Sequence, residues 1–234
     1  MISTRCLGLV GGLGVGATVH YYQSLAKACE AAGQALDIVI ANAETSRVFE
    51  RVQANDRNGL SDYLHGYIQR LQSAGAEIAA IPAVTPHFAI HELAESSPIP
   101  VLNIFEPLNR ELQARAARRV AVLGTRFVME SALFGEVKGV DFVRAQPQEE
   151  DFIHKTYVEV AQAAKASDAQ RKDMLALAHT IVIRDCVDAI ILAGTDLALV
   201  FNSSNTDFPC IDCGDLHLEA ILRVLIGGER LSGR

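Results

Sequence analysis

Residues 5–17, RCLGLVGGLGVGA, decide how the rest of the chain is read. Cys6–Val10 is an apolar run of strand length, the glycines after it make a tight turn, and Thr18–Ala32 carries helical spacing. Strand, glycine turn and helix in that order open a parallel α/β unit. The pattern then recurs. RRVAVLGT at 118–125 echoes RCLGLVGG at 5–12, and CVDAIILAGTDL at 186–197 echoes GAEIAAIPAVTPH at 75–87, each about 110 residues further on. That interval is far too long for a solenoid repeat and fits duplicated halves.

Outward from these stretches the alternation continues. Strands are expected at Asp37–Ala41, Glu77–Ile81, near Val101, at Val120–Leu123, Asp188–Leu192 and Pro209–Asp212. Helices are expected at Leu60–Ser73, His87–Ala94, Glu106–Ala117, Phe127–Val137, Glu149–Ala166, Arg171–Asp185 and Asp215–Leu225. The fold class is α/β: two pseudo-symmetric doubly wound parallel-sheet domains facing a central cleft, where ligands of open α/β sheets bind. The expected division is 1–104 and 105–208, with the final strand and helix of 209–234 packing back on the N-terminal half.

Composition narrows the function classes. The 234 residues are half apolar, with Lys+Arg 21 against Asp+Glu 28 and a formal charge of −7. Without a basic stripe, nucleic acid is not an expected partner. Nowhere do about eighteen uninterrupted apolar residues occur, so neither a membrane span nor a signal peptide is expected, and the cytoplasm is the default location. Cysteines stand at 6, 29, 186, 210 and 213. An odd, scattered set in a chain of this length argues against a disulfide framework. Cys210 and Cys213 form a C-x-x-C around a late strand, not at the head of a first long helix, and read as coincidence rather than as a redox pair.

The loops after the strands are where chemistry is expected. From Gly12 the glycine turn matches G-x-G-x-x-A, but the acidic residue wanted roughly 20 positions on is late, at Glu44. An anion-binding turn, a nucleotide site and purely structural glycines all remain open readings. Arg47 could clamp a carboxylate bidentately or be a surface arginine. Thr85 with His87, and Thr195 with Asp196, occupy matching turns after the third strand and its counterpart. Their hydroxyls and the helix amides beside them can bind an anion, cap a helix, or do both. His87 and His91 are four apart, as metal ligands often are, yet no third ligand is fixed by spacing, and no metal is expected.

With those turns identified, the chain resembles the aspartate/glutamate racemase family, in its broad-specificity amino-acid racemase branch, over nearly its whole length. The resemblance rests on Leu7–Gly12 with Tyr21-Tyr22, Gly75-Ala76-Glu77, Thr85-Pro86-His87, Val120–Glu130, Thr195-Asp196-Leu197, Asp212 and His217-Leu218-Glu219. It implies two α/β domains, no cofactor, a homodimer and a small carboxylate or amino-acid substrate. It also implies one thiol on each side of the substrate α-carbon, one removing a proton and the other delivering one. Here the family's first cysteine falls at Ala83, or at Pro82 with a one-residue shift, and the second at Gly194. Neither position carries a thiol.

The resemblance therefore implies a divergent, isomerase-like enzyme acting on a small amino-acid-like carboxylate without the two-thiol racemization. Gly12, Arg47, Thr85, Thr125, Lys165 and Thr195 are the expected substrate-binding residues, Lys165 being equally readable as a solvated helix-end lysine. His87, Asp196 and His217 are the available acid/base groups. A lyase or decarboxylase on the same fold, and a non-catalytic carboxylate-binding protein, are the alternatives. A nucleotide-dependent enzyme using the Gly12 turn is a third reading.

Overall fold

Strand β1 (Leu7–Gly11) is buried along its whole length, as a central parallel strand covered on both faces must be. The structure is a computed structural model and describes residues 5–130, 135–202 and 205–227. The chain divides into two compact units: unit 1 takes residues up to Asn103 together with those from His217 onward, and unit 2 takes Ile104–Leu216.

In unit 1 the chain runs from β1 through α1 (Val15–Ala31), β2 (Ile38–Asn42), α2 (Thr45–Gln53), α3 (Arg57–Ser73) and β3 (Ile78–Ala80). A 3-10 turn (Thr85–Ala89), α4 (Ile90–Ser96) and β4 (Val101–Leu102) follow. The sheet is parallel in the order β2-β1-β3-β4, with Leu7 opposite Ile38 and Ile78, and Ala80 opposite Leu102. Helix α1 buries Ala17, Tyr21, Leu25 and Cys29 at four-residue intervals, one stripe facing the sheet. Helix α3 buries a similar stripe, Leu60, Leu64, Ile68 and Leu71, at intervals of four and three, and it starts where the Asp56 carboxylate accepts from the Gly59 amide at 2.8 Å.

Unit 2 repeats the plan with α5 (Phe105–Ala114), β5 (Arg119–Leu123), α6 (Arg126–Glu130), β6 (Asp141–Val143), α7 (Pro147–Ala163), α8 (Asp168–Asp185) and β7 (Ala189–Leu192). A second 3-10 turn (Thr195–Leu199), β8 (Cys210–Asp212) and the first residues of α9 (Cys213–Leu225) complete it, the helix belonging to unit 1 from His217 on. Its parallel order, β6-β5-β7-β8, is that of unit 1, with Leu123 opposite Leu192 and Leu192 opposite Asp212. Capping boxes start both long helices: Gln146 with Glu149 on α7, and Ser167 with Gln170 on α8. Ile153 and Val160 of α7 pack with Met174, Ala178 and Ile181 of α8 onto Ile190 and Leu192.

Three expectations need correction. Strand β6 has no counterpart among the expected strands, because Asp141-Phe142-Val143 is a three-residue edge strand without a buried run. The final strand does not go with the N-terminal half: β8 hydrogen-bonds to β7 and stays in unit 2. Only the end of the chain from His217 belongs to unit 1, where Leu218, Ile221, Val224 and Leu225 pack with Leu7, Leu9, Tyr21 and Ile78. The helix expected over Phe127–Val137 is α6 over Arg126–Glu130, with residues 131–134 outside the described ones.

Each unit thus has a point where strand order reverses, between β1 and β3 in unit 1 and between β5 and β7 in unit 2. The carboxyl ends of those paired strands are where open α/β sheets place their ligands. All the threonine turns singled out in the sequence leave from these ends.

Candidate functional site

In unit 1 the reversal point is bounded by the glycine turn after β1 and by the loop from Ile81 to His87. Gly12 has φ +83°, and a Cβ there would stand 2.4 Å from the Ala43 carbonyl oxygen, so only glycine fits. The turn is closed from within: the Gly12 amide donates to the Thr18 hydroxyl at 3.1 Å and its carbonyl accepts from Thr45 Oγ1 at 2.7 Å. Gly12 therefore shapes the turn, and its own amide is already committed.

On the facing loop, Ala83 and Thr85 are buried, and Thr85 opens the 3-10 turn that carries His87. His87 Nδ1 donates to the Ala83 carbonyl at 2.8 Å, which fixes the ring against the backbone of its own loop. Behind it His217 is fully buried, with Nε2 donating to the Leu102 carbonyl at 3.1 Å and Nδ1 accepting from the Tyr21 hydroxyl, 3.3 Å away. The carbonyl can only accept, so it selects the Nε2–H tautomer and leaves Nδ1 for the phenol. The His87 and His217 rings meet edge to face at 5.8 Å. Burial depresses both: His87 to about 4, offset in part by hydrogen bonds to the Ala83 and Leu102 carbonyls, and His217 to about 3, with His87 as the second cause. Both imidazoles are neutral at pH 7. His217, with both nitrogens engaged inside unit 1, braces His87 and does not itself offer an acid or base.

Unit 2 builds its reversal point from Gly124-Thr125 after β5 and Ala193–Asp196 after β7. The loops touch: a Cβ on Gly124 would stand 3.0 Å from the Ala193 carbonyl oxygen. Thr125, Thr195 and Asp196 are all buried, and Thr125 Oγ1 accepts from the Val128 amide at 3.3 Å, capping α6. Gly194 has an ordinary extended backbone, φ −139° and ψ 115°. What makes it glycine is a neighbour, because a Cβ there would lie 2.3 Å from Tyr157 Cε2 and 2.9 Å from Cδ2 and Cζ. The Tyr157 ring, carried by α7, lies against the Gly194 Cα, and its hydroxyl donates to Asp196 Oδ2 at 3.4 Å. Burial, and then the Asp196 carboxylate, hold that phenol well above its usual range, so it is un-ionised.

Sequence reasoning passed over Tyr157, which reads there as one more apolar position on a helical stripe. The signal available was the glycine: a residue without a side chain, next to a buried strand end, leaves space that something large must fill.

The other candidates lie elsewhere. Arg47 is on α2 with its side chain exposed, 3.5 Å from Glu50 and 3.8 Å from Glu44, and is a surface ion-pair residue in this structure. Lys165 is exposed just beyond the left-handed C-cap Ala164 of α7. His87 is buried and His91 exposed, and among the described residues no group of three or more His, Cys, Asp or Glu is arranged to hold a metal. Burial pushes the Cys210 thiol up to about 12 and holds the Cys213 thiol well above its ordinary value, so neither is a thiolate at neutral pH. Asp212 accepts from the Gly214 and Asp215 amides at 2.7 and 3.2 Å, which starts α9. Among the described residues no helix is long and apolar enough to cross a membrane.

Comparisons with known proteins bear on this arrangement. The chain is 29% identical over 149 residues to a broad-specificity amino-acid racemase, RacX, of Bacillus subtilis, covering 61% of this chain and 62% of that protein. The matched stretch is thus less than two thirds of that relative's length. Among solved structures, a candidate Asp/Glu racemase from Yersinia pestis superposes with a TM-score of 0.81 at 19% identity, covering 95% of this chain and 99% of that one. An aspartate racemase homologue from Pyrococcus horikoshii OT3 gives 0.79 at 19% identity, over 94% and 99%. At such identities the superpositions establish the fold. The family itself follows from the sequence model for Asp/Glu/Hydantoin racemase, which matches residues 10–221 and so takes in both reversal points. The chain belongs to the Asp/Glu/Hydantoin racemase family.

Proposed function

We propose that this protein is a divergent enzyme of that family, acting without a cofactor on a small amino-acid-like carboxylate by a reaction other than two-thiol racemization. The observation that carries the reading is the Gly194–Tyr157 contact, where a phenyl ring stands in the space a side chain at 194 would need. At the corresponding turn of unit 1, Ala83 presents a methyl group. The polar groups at the two turns still suit an acid: buried Thr85 in one unit, buried Thr125 and Thr195 in the other. The B. subtilis relative, a broad-specificity amino-acid racemase by name, supports an amino-acid-like substrate.

In unit 2 the Asp196 carboxyl group, hydrogen-bonded by the Tyr157 phenol, is the candidate proton acceptor, and in unit 1 the neutral imidazole of His87 is the candidate acid/base group. His217 positions His87. Arg47 and Lys165, both exposed, serve at most to attract an anion electrostatically. Isomerization, elimination and decarboxylation all pass through a carbanion-like state next to a carboxylate, and all fit this set of groups.

The test is incubation with a panel of D- and L-amino acids, their hydroxy-acid analogues and substituted malonates, followed by NMR. Formation of an isomer or a cleavage product from one class of acid supports the proposal. A second reading, a non-catalytic carboxylate binder, is favoured by the engagement of both His217 nitrogens and the lack of a thiol at 83 and 194. It gives thermal stabilisation by an acid that is recovered unchanged. Neither turnover nor stabilisation by any acid contradicts both readings. A cytoplasmic location and a homodimer belong to the proposal as well, the dimer being testable by sedimentation equilibrium.

A further inference from the structure

We propose that unit 2 carries a second ligand site along the edge of its sheet, a cavity that takes a small apolar molecule ending in a protonated amine. The site uses none of the residues of the reaction proposed above and does not depend on it.

The cavity measures about 330 Å³ and is bounded by β5, β6, the end of α6, the segment 135–140 and the first turn of α7. Strand β6 is the terminal strand of its sheet, so among the described residues no strand covers its outer side. Val122, Met129, Val137, Val140 and Phe142 make a hydrocarbon wall, and the first three of them are buried. A dry cavity of about 150 Å³ already holds benzene, so this one has room for an aromatic ring with a short chain. None of the residues lining it belongs to β7 or to the turns bearing Thr125 and Thr195.

One charged side chain of the wall is itself buried. Glu150, in the first turn of α7, has a side chain only 4% exposed, and its two carboxylate oxygens accept from Arg144 Nε at 2.9 Å and Nη2 at 2.7 Å. The same Nη2 reaches Glu130 of α6 at 3.4 Å, so two carboxylates share one guanidinium. The Arg144 side chain is 55% exposed, which puts the charged end of the cavity toward solvent and the hydrocarbon wall deeper. A carboxylate offers about four acceptor positions, and among the described residues Glu150 receives only the bonds from Arg144. Excess negative charge beside hydrocarbon is costly unless a cation balances it. An ammonium entering here brings the cluster to neutrality and donates to the lone pairs left over. A carboxylate adds a third negative charge, and a hydroxyl balances none. The wall therefore selects an apolar body and the Glu150–Arg144–Glu130 cluster selects a cationic head.

The probes are 3-phenylpropylamine, 3-phenylpropan-1-ol and 3-phenylpropionate, which share a body and differ in the head. Binding is followed by calorimetry and by carbon NMR of protein labelled at the methionine methyls. Met129 lines the cavity, whereas Met174 lies in the core with Ile153 and Ile190, so binding at this site shifts the Met129 signal and leaves Met174 in place. The amine is expected to shift Met129 and to bind about tenfold or more tightly than the alcohol, with the acid weakest. Glu130→Gln, at an exposed side chain, should weaken the amine and leave the alcohol unchanged. Val140→Phe fills the cavity while keeping all three charged groups, and should abolish the Met129 shift; an unchanged Met174 signal shows that each variant is folded. A Met129 signal that no probe moves, or unaltered binding by Val140→Phe, overturns the site. Equal affinity for the three heads, a preference for the acid, or equal loss of amine and alcohol in Glu130→Gln overturns the ligand class.

Discussion

Lowering the pH from 7 to 5 should remove about 4 kcal/mol of folding stability through two residues, His87 and His217. In the unfolded chain each imidazole titrates near 6.5. In the folded protein burial holds them near 4 and near 3. A group whose folded value is depressed stabilises fully above its unfolded value and loses that contribution as pH falls toward the folded one, because the unfolded state takes up the proton first. At pH 5 the unfolded imidazoles are almost fully protonated and the folded ones almost fully neutral. Each therefore contributes about 2 kcal/mol of lost stability, a figure set mainly by the gap of about 1.5 units between pH 5 and the unfolded value. Against a typical total of about 5–15 kcal/mol this is large. His154, depressed by burial and by Arg126, adds a smaller loss of the same sign. Glu149, Asp185 and Asp188, all held low by arginine or backbone hydrogen bonds, have ordinary values below 5 and lose their contribution below the window. The assay is urea unfolding at pH 7, 6 and 5 on wild type, His87→Asn and His217→Asn. Each variant should be less stable at pH 7 and should show about half of the wild-type loss between pH 7 and 5. A pH dependence unchanged in the variants, or flat in wild type, would refute the buried neutral pair.

Other consequences follow from the same geometry. Gly12→Ala places a Cβ 2.4 Å from the Ala43 carbonyl in a left-handed backbone, and should cost about 2 kcal/mol or more by urea midpoint. Asp56→Ala removes the acceptor for the Gly59 amide at the start of α3 and should cost about 1 kcal/mol; no change would mean that water or a neighbour replaces the cap fully. In thiol titration of the native protein at pH 7.5, Cys186 should react quickly because it is exposed, while Cys6, Cys29 and Cys213 wait for unfolding and Cys210, half-buried with its thiol pushed up to about 12, reacts slowly. Rapid reaction of two or more thiols would contradict this arrangement.

The parts of the fold that periodicity can report are legible in the sequence. Leu7–Gly11 and Ala189–Leu192 are continuous apolar runs because parallel central strands are buried on both faces, and the recurrence of RCLGLVGG as RRVAVLGT marks two sheets of the same order. Edge strand β6 is not legible, since Asp141-Phe142-Val143 needs no such run. Nor is the placement of β8, which depends on long-range pairing with β7 and not on any local pattern. At the site, the turns bearing Thr85, Thr125 and Thr195 are found from their place after strands. Spacing cannot reveal that the Gly12 amide is committed to Thr18, or that His217 is locked between Leu102 and Tyr21, 115 and 196 residues away in sequence. Tyr157 escapes because its partner is a glycine at position 194, far along the chain, and an absent side chain gives a sequence pattern nothing to match.

The central claim is that a racemase-family fold works here without a thiol on either side of the substrate. Its most direct test is proton NMR of the α-position of D- and L-amino acids in deuterated water, with native protein and with protein treated with iodoacetamide. The expected result is that no fast, thiol-dependent α-deuteration occurs, and that any turnover survives alkylation. Brisk α-deuteration abolished by the reagent would contradict the claim and return a cysteine to the centre of the mechanism.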